Sequence, residues 1–151
     1  MFIHRSKNVV LKDMRMHYMH GLGIISQYSD NITMCRVKCM PEPKSGRLLA
    51  ASADMMHFSG CRGRLLIDSC YFAGAQDDAI NIHGTNLKVV EKVSSNTLNM
   101  RFSHGQSYGF QAYFTGDTVA FVKATTMERL STASVHSVKR LSDRIWQVKF
   151  D

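Results

Sequence analysis

Short runs of alternating apolar and polar residues recur along the first half of the chain, the period-two signature of strands with one buried face. The run Asn8-Val9-Val10-Leu11-Lys12-Asp13-Met14 returns 23 residues on as Asn31-Ile32-Thr33-Met34-Cys35-Arg36-Val37. A third copy, Arg64-Leu65-Leu66-Ile67-Asp68-Ser69-Cys70, follows after a further 33. Repeats of this length mark single coils of a solenoid. Stacking the copies puts Val9, Ile32 and Leu65 in one inward ladder, and Leu11, Met34 and Ile67 in a second. The ten extra residues of the second coil fall around Pro41-Glu42-Pro43-Lys44-Ser45-Gly46, turn chemistry that predicts a protruding loop. Solenoids commonly carry such insertions on their functional face.

A second phrase repeats with its own period. Asp54-Met55-Met56-His57-Phe58-Ser59-Gly60 returns after 24 residues as Asp78-Ala79-Ile80-Asn81-Ile82-His83-Gly84. Met56 and Phe58 match Ile80 and Ile82 at alternate positions, so each phrase reads as a strand, and residues 21–26 supply its counterpart one coil earlier. Gly60 and Gly84 close the phrases and are expected at corners, where positive φ is cheapest for glycine. Two ladders with agreeing spacing predict stacked parallel coils, a parallel β-helix, over residues 1–85.

The period ends at Gly84. Residues 87–93 and 98–102 flank Ser94-Ser95-Asn96 in a hairpin pattern, and short strands are expected at 118–123, 133–140 and 144–150. Tyr113-Phe114-Thr115-Gly116-Asp117 reads as a turn. Residues 86–151 are therefore expected to form a small antiparallel barrel or sandwich, giving an all-β chain of two parts.

Stacking the Asp-led phrases has a chemical consequence. Asp54 and Asp78 come one above the other, roughly 4.8 Å apart at the backbone, and Asp77 adds a third carboxylate. Ionised carboxylates so close repel one another, and the fold gains nothing from that. A single Asp here would be a turn cap; three together read as a site.

Composition narrows the alternatives. A chain of 151 residues with 44% hydrophobic content and two prolines is folded. No apolar run is long enough for a membrane-spanning helix, and the opening Met1-Phe2-Ile3-His4-Arg5-Ser6-Lys7 lacks a signal-peptide core. The net charge of +7 is scattered, with no basic run longer than Lys139-Arg140, and reads as a solvated surface rather than a nucleic-acid interface. Cys35, Cys39, Cys61 and Cys70 lack zinc-site spacing, and Cys39 and Cys70 lie in apolar strand patterns as buried free thiols. Met14, Met16 and Met19 read as core filling, and Trp146 as barrel core. No nucleotide loop, nucleophile elbow or metal signature is present, so neither cofactor nor metal is expected.

The runs Ala53-Asp54-Met55-Met56-His57-Phe58-Ser59-Gly60-Cys61-Arg62-Gly63 and Gly74-Ala75-Gln76-Asp77-Asp78-Ala79-Ile80-Asn81-Ile82-His83-Gly84-Thr85 resemble the core motifs of glycoside hydrolase family 110. The resemblance covers most of the chain. It implies a bacterial α-1,3-galactosidase that removes terminal α-linked galactose from glycans, blood-group-B-type structures and linear Gal-α-1,3-Gal caps among them. It implies an inverting enzyme on a right-handed parallel β-helix with small β-barrel domains attached, periplasmic or secreted in the full-length parent. Asp54, Asp77 and Asp78 then correspond to the catalytic carboxylates. Complete members of that family are several times longer, so the chain is expected to be a module of one.

The residues agree with that chemistry. Inverting hydrolysis sets an acid at the glycosidic oxygen and a base on water across the ring, ~6.5–9.5 Å apart. Close carboxylates titrate as a coupled set, so one can keep its proton; which one is the acid stays open. A regular strand would point Asp77 away from Asp78. His57, Asn81 and His83 lie on the same phrases and are candidates to hydrogen-bond sugar hydroxyls, with solvated side chains as the plain alternative. Two other readings compete: a polygalacturonase-like β-helix hydrolase acting on an acidic polymer, and a solenoid that binds carbohydrate without cleaving it. Uncapped coils at both ends also predict self-association.

Overall fold

A computed structural model describes residues 1–151, all strand and turn without a helix. The chain divides into two units, Met1–Thr85 and Asn86–Asp151.

The first unit carries ten strands: β1 (Phe2–His4), β2 (Lys7–Lys12), β3 (Arg15–Met16), β4 (Ile24–Gln27), β5 (Asp30–Cys35), β6 (Lys38–Cys39), β7 (Met56–Ser59), β8 (Arg62–Asp68), β9 (Tyr71–Phe72) and β10 (Ile80–His83). They build three short parallel sheets, ordered β1-β4-β7-β10, β2-β5-β8 and β3-β6-β9, so every third strand returns to the same sheet. The register places Val9 on Ile32 on Leu65, and Leu11 on Met34 on Ile67. Ile32 and Met34 are fully buried, and the other four pack against the same core with Met14 and Met16. These are the ladders that the repeat spacing predicts. Burying such alternating faces contributes about 25 cal/mol per Å² of apolar surface removed from water.

Bends between the sheets recur at matching positions. Arg5, Tyr28 and Gly60 form one set of residues with positive φ, Asn8, Asn31 and Gly63 a second, and Asp13, Arg36 and Ser69 a third. The asparagine set is bonded along its length. Asn31 Nδ2 donates to Asn8 Oδ1 at 3.1 Å, and the Arg64 N–H donates to Asn31 Oδ1 at 3.0 Å. Local side-chain bonding of this kind is what lets asparagine hold the left-handed conformation. Two expectations are revised, and the third sheet is one that the spacing does not announce. Gly60 has φ +60 as expected, but Gly84 keeps an ordinary φ. The third sheet, made of two-residue strands, leaves no periodicity to read. The strand expected over 21–26 runs over Ile24–Gln27, because Gly21 and Gly23 belong to the approach.

All four cysteines are free thiols. Cys39 is fully buried, and burial, with Cys70 beside it, pushes its thiol from 9.0 up to about 11.

The second unit is one antiparallel sheet of β11 (Leu87–Lys92), β12 (Thr97–Phe102), β13 (Thr118–Val122), β14 (Arg129–Arg140) and β15 (Ile145–Phe150). Its order is β11-β12-β15-β14-β13. β14 pairs β13 with its first half and β15 with its second, and the register shifts between Val135 and Ser137. A bulge there bends the strand, and Val135 enters a core with Met100, Val119, Val148 and Phe150. Trp146 is half-buried and lines a small gap with Leu87, Ala112 and Tyr113.

Candidate active site

The three acids sit in the segments that lead into the first sheet. Asp54 lies two residues before β7, and Asp77 and Asp78 just before β10. Backbone bonds carry the parallel pairing into these approaches. The Gly23 N–H donates to the Asp54 carbonyl at 2.9 Å, and the Met55 N–H to the Asp78 carbonyl at 3.0 Å. The next residues continue it, the Met56 N–H donating to the Ala79 carbonyl at 3.1 Å. Asp54 and Asp78 therefore occupy equivalent places on neighbouring chain segments, as the 24-residue spacing predicts.

Asp77 does not behave as a strand residue. Residues 77 and 78 lie outside β10, so strict alternation does not apply, and Asp77 joins the cluster instead of turning away. Each of the three carboxylates offers an oxygen, and these oxygens all lie within 4.8 Å of one another. Asp54 is buried; Asp77 and Asp78 are exposed. One carboxylate thus forms the floor of the cluster and two face solvent.

The alternation of β7 turns Met56 and Phe58 inward and His57 outward over this floor. His57 Nδ1 lies 2.7 Å from Asp54 Oδ2, with the two side chains 20% and 6% exposed. β10 lies beside β7 in parallel, with Asn81 opposite His57. His83, two residues beyond Asn81 and so on the same face, places Nε2 at 2.8 Å from His57 Nε2. The two rings meet edge to face, their centroids 4.8 Å apart. His83 Nδ1 lies 2.8 Å from the Gly84 carbonyl oxygen. The structure so joins Asp54, His57 and His83 in one line and sets Asp77 and Asp78 beside its buried end. Both ring nitrogens of each histidine have partners within the protein. Asn81 is half-buried on the same face.

Three clustered oxygens also invite a cation. Calcium and magnesium take six or more oxygen ligands, waters among them, and Asp54 also gives Oδ2 to His57.

The sequence did not single out the groove next to it. A cavity of about 380 Å³ is lined by Tyr18, His20, Arg47, Leu49 and Ser52 over a floor that includes Met19 and Ala51. Met19, Ala51 and Ala75 pair in parallel, and the Gln76 N–H donates to the Ala51 carbonyl at 3.3 Å. The floor therefore runs directly into the segments that carry Asp54 and Asp77. The Arg47 guanidinium lies 4.8 Å over the exposed Tyr18 ring, a flat amphipathic surface of the kind sugars stack on. Arg47 and Leu49 come from the inserted residues of the second coil. The insertion was the available signal; its contact with Tyr18, about thirty residues earlier, had none.

Residues 97–151 match the family described as GLAA-B beta-barrel domain II. Over all 151 residues the chain is 68% identical to a protein named alpha-1,3-galactosidase A from Bacteroides fragilis, covering 25% of that protein. It is 37% identical over 143 residues to alpha-1,3-galactosidase A of Akkermansia muciniphila, spanning 95% of this chain and 24% of the relative. It is 40% identical over 128 residues to alpha-1,3-galactosidase B of Parabacteroides distasonis, spanning 84% of this chain and 21% of the relative. The chain spans about a quarter of the length of the first of these curated relatives. The resemblance carried by the two Asp-led runs thus extends across the whole chain, to proteins bearing the name that glycoside hydrolase family 110 implies.

Proposed function

We propose that this chain is the acid-bearing segment of an exo-acting α-1,3-galactosidase, in which Asp54, Asp77 and Asp78 hydrolyse terminal α-1,3-galactosyl bonds. The observation that carries this reading is the cluster itself: three carboxylate oxygens within 4.8 Å, on a chain 68% identical to a protein of that name. Asp54 is read as the base, its carboxylate held by His57, whose Nδ1 lies 2.7 Å from Oδ2. The exposed pair, Asp77 and Asp78, faces the side from which a glycan arrives, and one of them is the acid that protonates the leaving oxygen. The groove of Tyr18 and Arg47 offers a surface for the sugar beyond the bond.

Residues 1–85 are read as right-handed parallel β-helix coils, supported by strands that join three sheets in strict rotation, and residues 86–151 as an attached barrel. Inversion at the anomeric carbon rests on the family resemblance. The nearest carboxylate oxygens are closer than the ~6.5–9.5 Å of inverting pairs. Asp77 and Asp78 are exposed and free to turn outward over a bound sugar. Blood-group-B-type glycans are the expected substrates and the periplasm or exterior the expected compartment.

The enzyme that contains this chain should release galactose from Gal-α-1,3-Gal and leave polygalacturonate intact. The β-anomer should appear first by NMR. Initial release of α-galactose would replace inversion by a double displacement. Cleavage of polygalacturonate without action on the galactoside would overturn the substrate assignment.

A further inference from the structure

His57 and His83 reach toward each other from neighbouring strands, on the diagonal between β7 and β10. Their Nε2 atoms come to 2.8 Å, and the ring centroids lie 4.8 Å apart. Each ring is also held from behind, at its other nitrogen. His57 Nδ1 lies 2.7 Å from Asp54 Oδ2, and His83 Nδ1 lies 2.8 Å from the Gly84 carbonyl oxygen. A carboxylate and a backbone carbonyl are the partners that metal-bound histidines keep on their second nitrogen, where they fix the ring and strengthen the ligand. Here both rings are anchored at Nδ1 and both converge at Nε2. A histidine pair that only packed together would need neither anchor.

The spacing suits a small ion after a slight opening. Two imidazole nitrogens on a tetrahedral zinc ion, each at ~2.0–2.1 Å, lie about 3.3 Å apart. The pair at 2.8 Å must therefore widen by about 0.5 Å. His83 is able to give way: it is exposed, and β10 has a strand neighbour on one side only. His57, with its side chain 20% exposed and its ring tied to Asp54, is the stationary ligand. Nitrogen donors select zinc, copper or nickel over calcium and magnesium, which take oxygen. Asp54 lies behind the His57 ring and supports the ligand from there, and water fills the outer positions of the ion.

We infer that His57 Nε2 and His83 Nε2 form a site for a divalent transition-metal ion, and that filling it inhibits the enzyme. The inhibitory half rests on the reading of Asp54 as the base. An ion on Nε2 polarises the same ring that holds the Asp54 carboxylate. Added positive charge favours the ionised carboxylate over the protonated one, so Asp54 takes a proton from water less readily.

Calorimetry with zinc chloride at about pH 7.5, where imidazole is ordinarily neutral, tests the site on this chain. His57→Gln and His83→Gln should each weaken zinc binding at least about tenfold, and Asp54→Asn, which loses the supporting carboxylate, by about tenfold. Magnesium chloride should not compete. Circular dichroism checks that each variant keeps its strands. In ¹H–¹⁵N spectra zinc should move the Nε2 signals of both rings together. Unchanged zinc affinity in His83→Gln, or Nε2 signals that ignore zinc, overturns the site. In the enzyme that contains this chain, zinc should lower kcat, EDTA should restore it, and His83→Gln should need at least about tenfold more zinc for the same loss. Zinc bound at the pair with kcat unchanged overturns the inhibitory half. Failure of the base reading is separately visible, because Asp54→Asn without any metal would then keep its kcat.

Discussion

At the scale of residues, a few side chains set both the bends of the chain and the geometry of the cluster. Gly63 has φ +67, and a Cβ there would come within 2.3 Å of Asn31 Oδ1, the atom that receives the Arg64 N–H. Gly21 has nearly the same φ, +62, with open space around it. Ala at Gly21 meets only the backbone preference, whereas Ala at Gly63 also displaces the asparagine ladder. Gly63→Ala should therefore lose ~1–3 kcal/mol of stability and lose more than Gly21→Ala. Denaturant midpoints compare the two, and equal losses would show that the ladder carries no stability. That Asp54 and Asp78 lie at equivalent places was legible because a repeated phrase stacks like on like. The line through His57 and His83 was not. It depends on a diagonal contact between strands, and sequence spacing names the registered pair, His57 and Asn81, rather than the diagonal one. A regular strand would turn Asp77 away from Asp78, but β10 starts three residues after Asp77.

At the scale of elements, alternation located what it could. Six-residue strands such as β2 and β5 carry three inward positions each, enough to fix face and register. Two-residue strands such as β3, β6 and β9 carry one, so the third sheet was invisible. β10 shows what the pattern leaves undetermined. Its Ile80 and Ile82 repeat the inward positions of Met56 and Phe58, which are buried, yet they are 37% and 58% exposed. β10 is the outer strand of its sheet, with pairing partners on one side only. An edge strand with unpaired backbone groups and apolar side chains favours association with another copy. In light scattering the isolated chain should grow in mass with concentration, and Ile82→Lys should reduce that growth. A strictly monomeric chain at high concentration, or an unchanged mass in Ile82→Lys, would contradict this.

At the scale of the whole molecule, the division at Thr85 and Asn86 separates the unit that holds the acids from an antiparallel sheet matched, over residues 97–151, by a beta-barrel family. The expectation of a boundary near residue 85 comes from a 24-residue period that stops there while the strands continue. The groove was not legible, because Tyr18 and Arg47 meet only once the coils are stacked. The three carboxylates are proposed to perform the hydrolysis together. The most direct test is kcat for Asp54→Asn, Asp77→Asn and Asp78→Asn in the enzyme that contains this chain, each first checked for retained fold. Asn keeps the size and much of the hydrogen bonding while removing the ionisable group. At least two of the three substitutions should lower kcat on the order of 10²-fold or more. Near-normal kcat in all three, with KM alone raised, would contradict the account and leave the cluster a binding site.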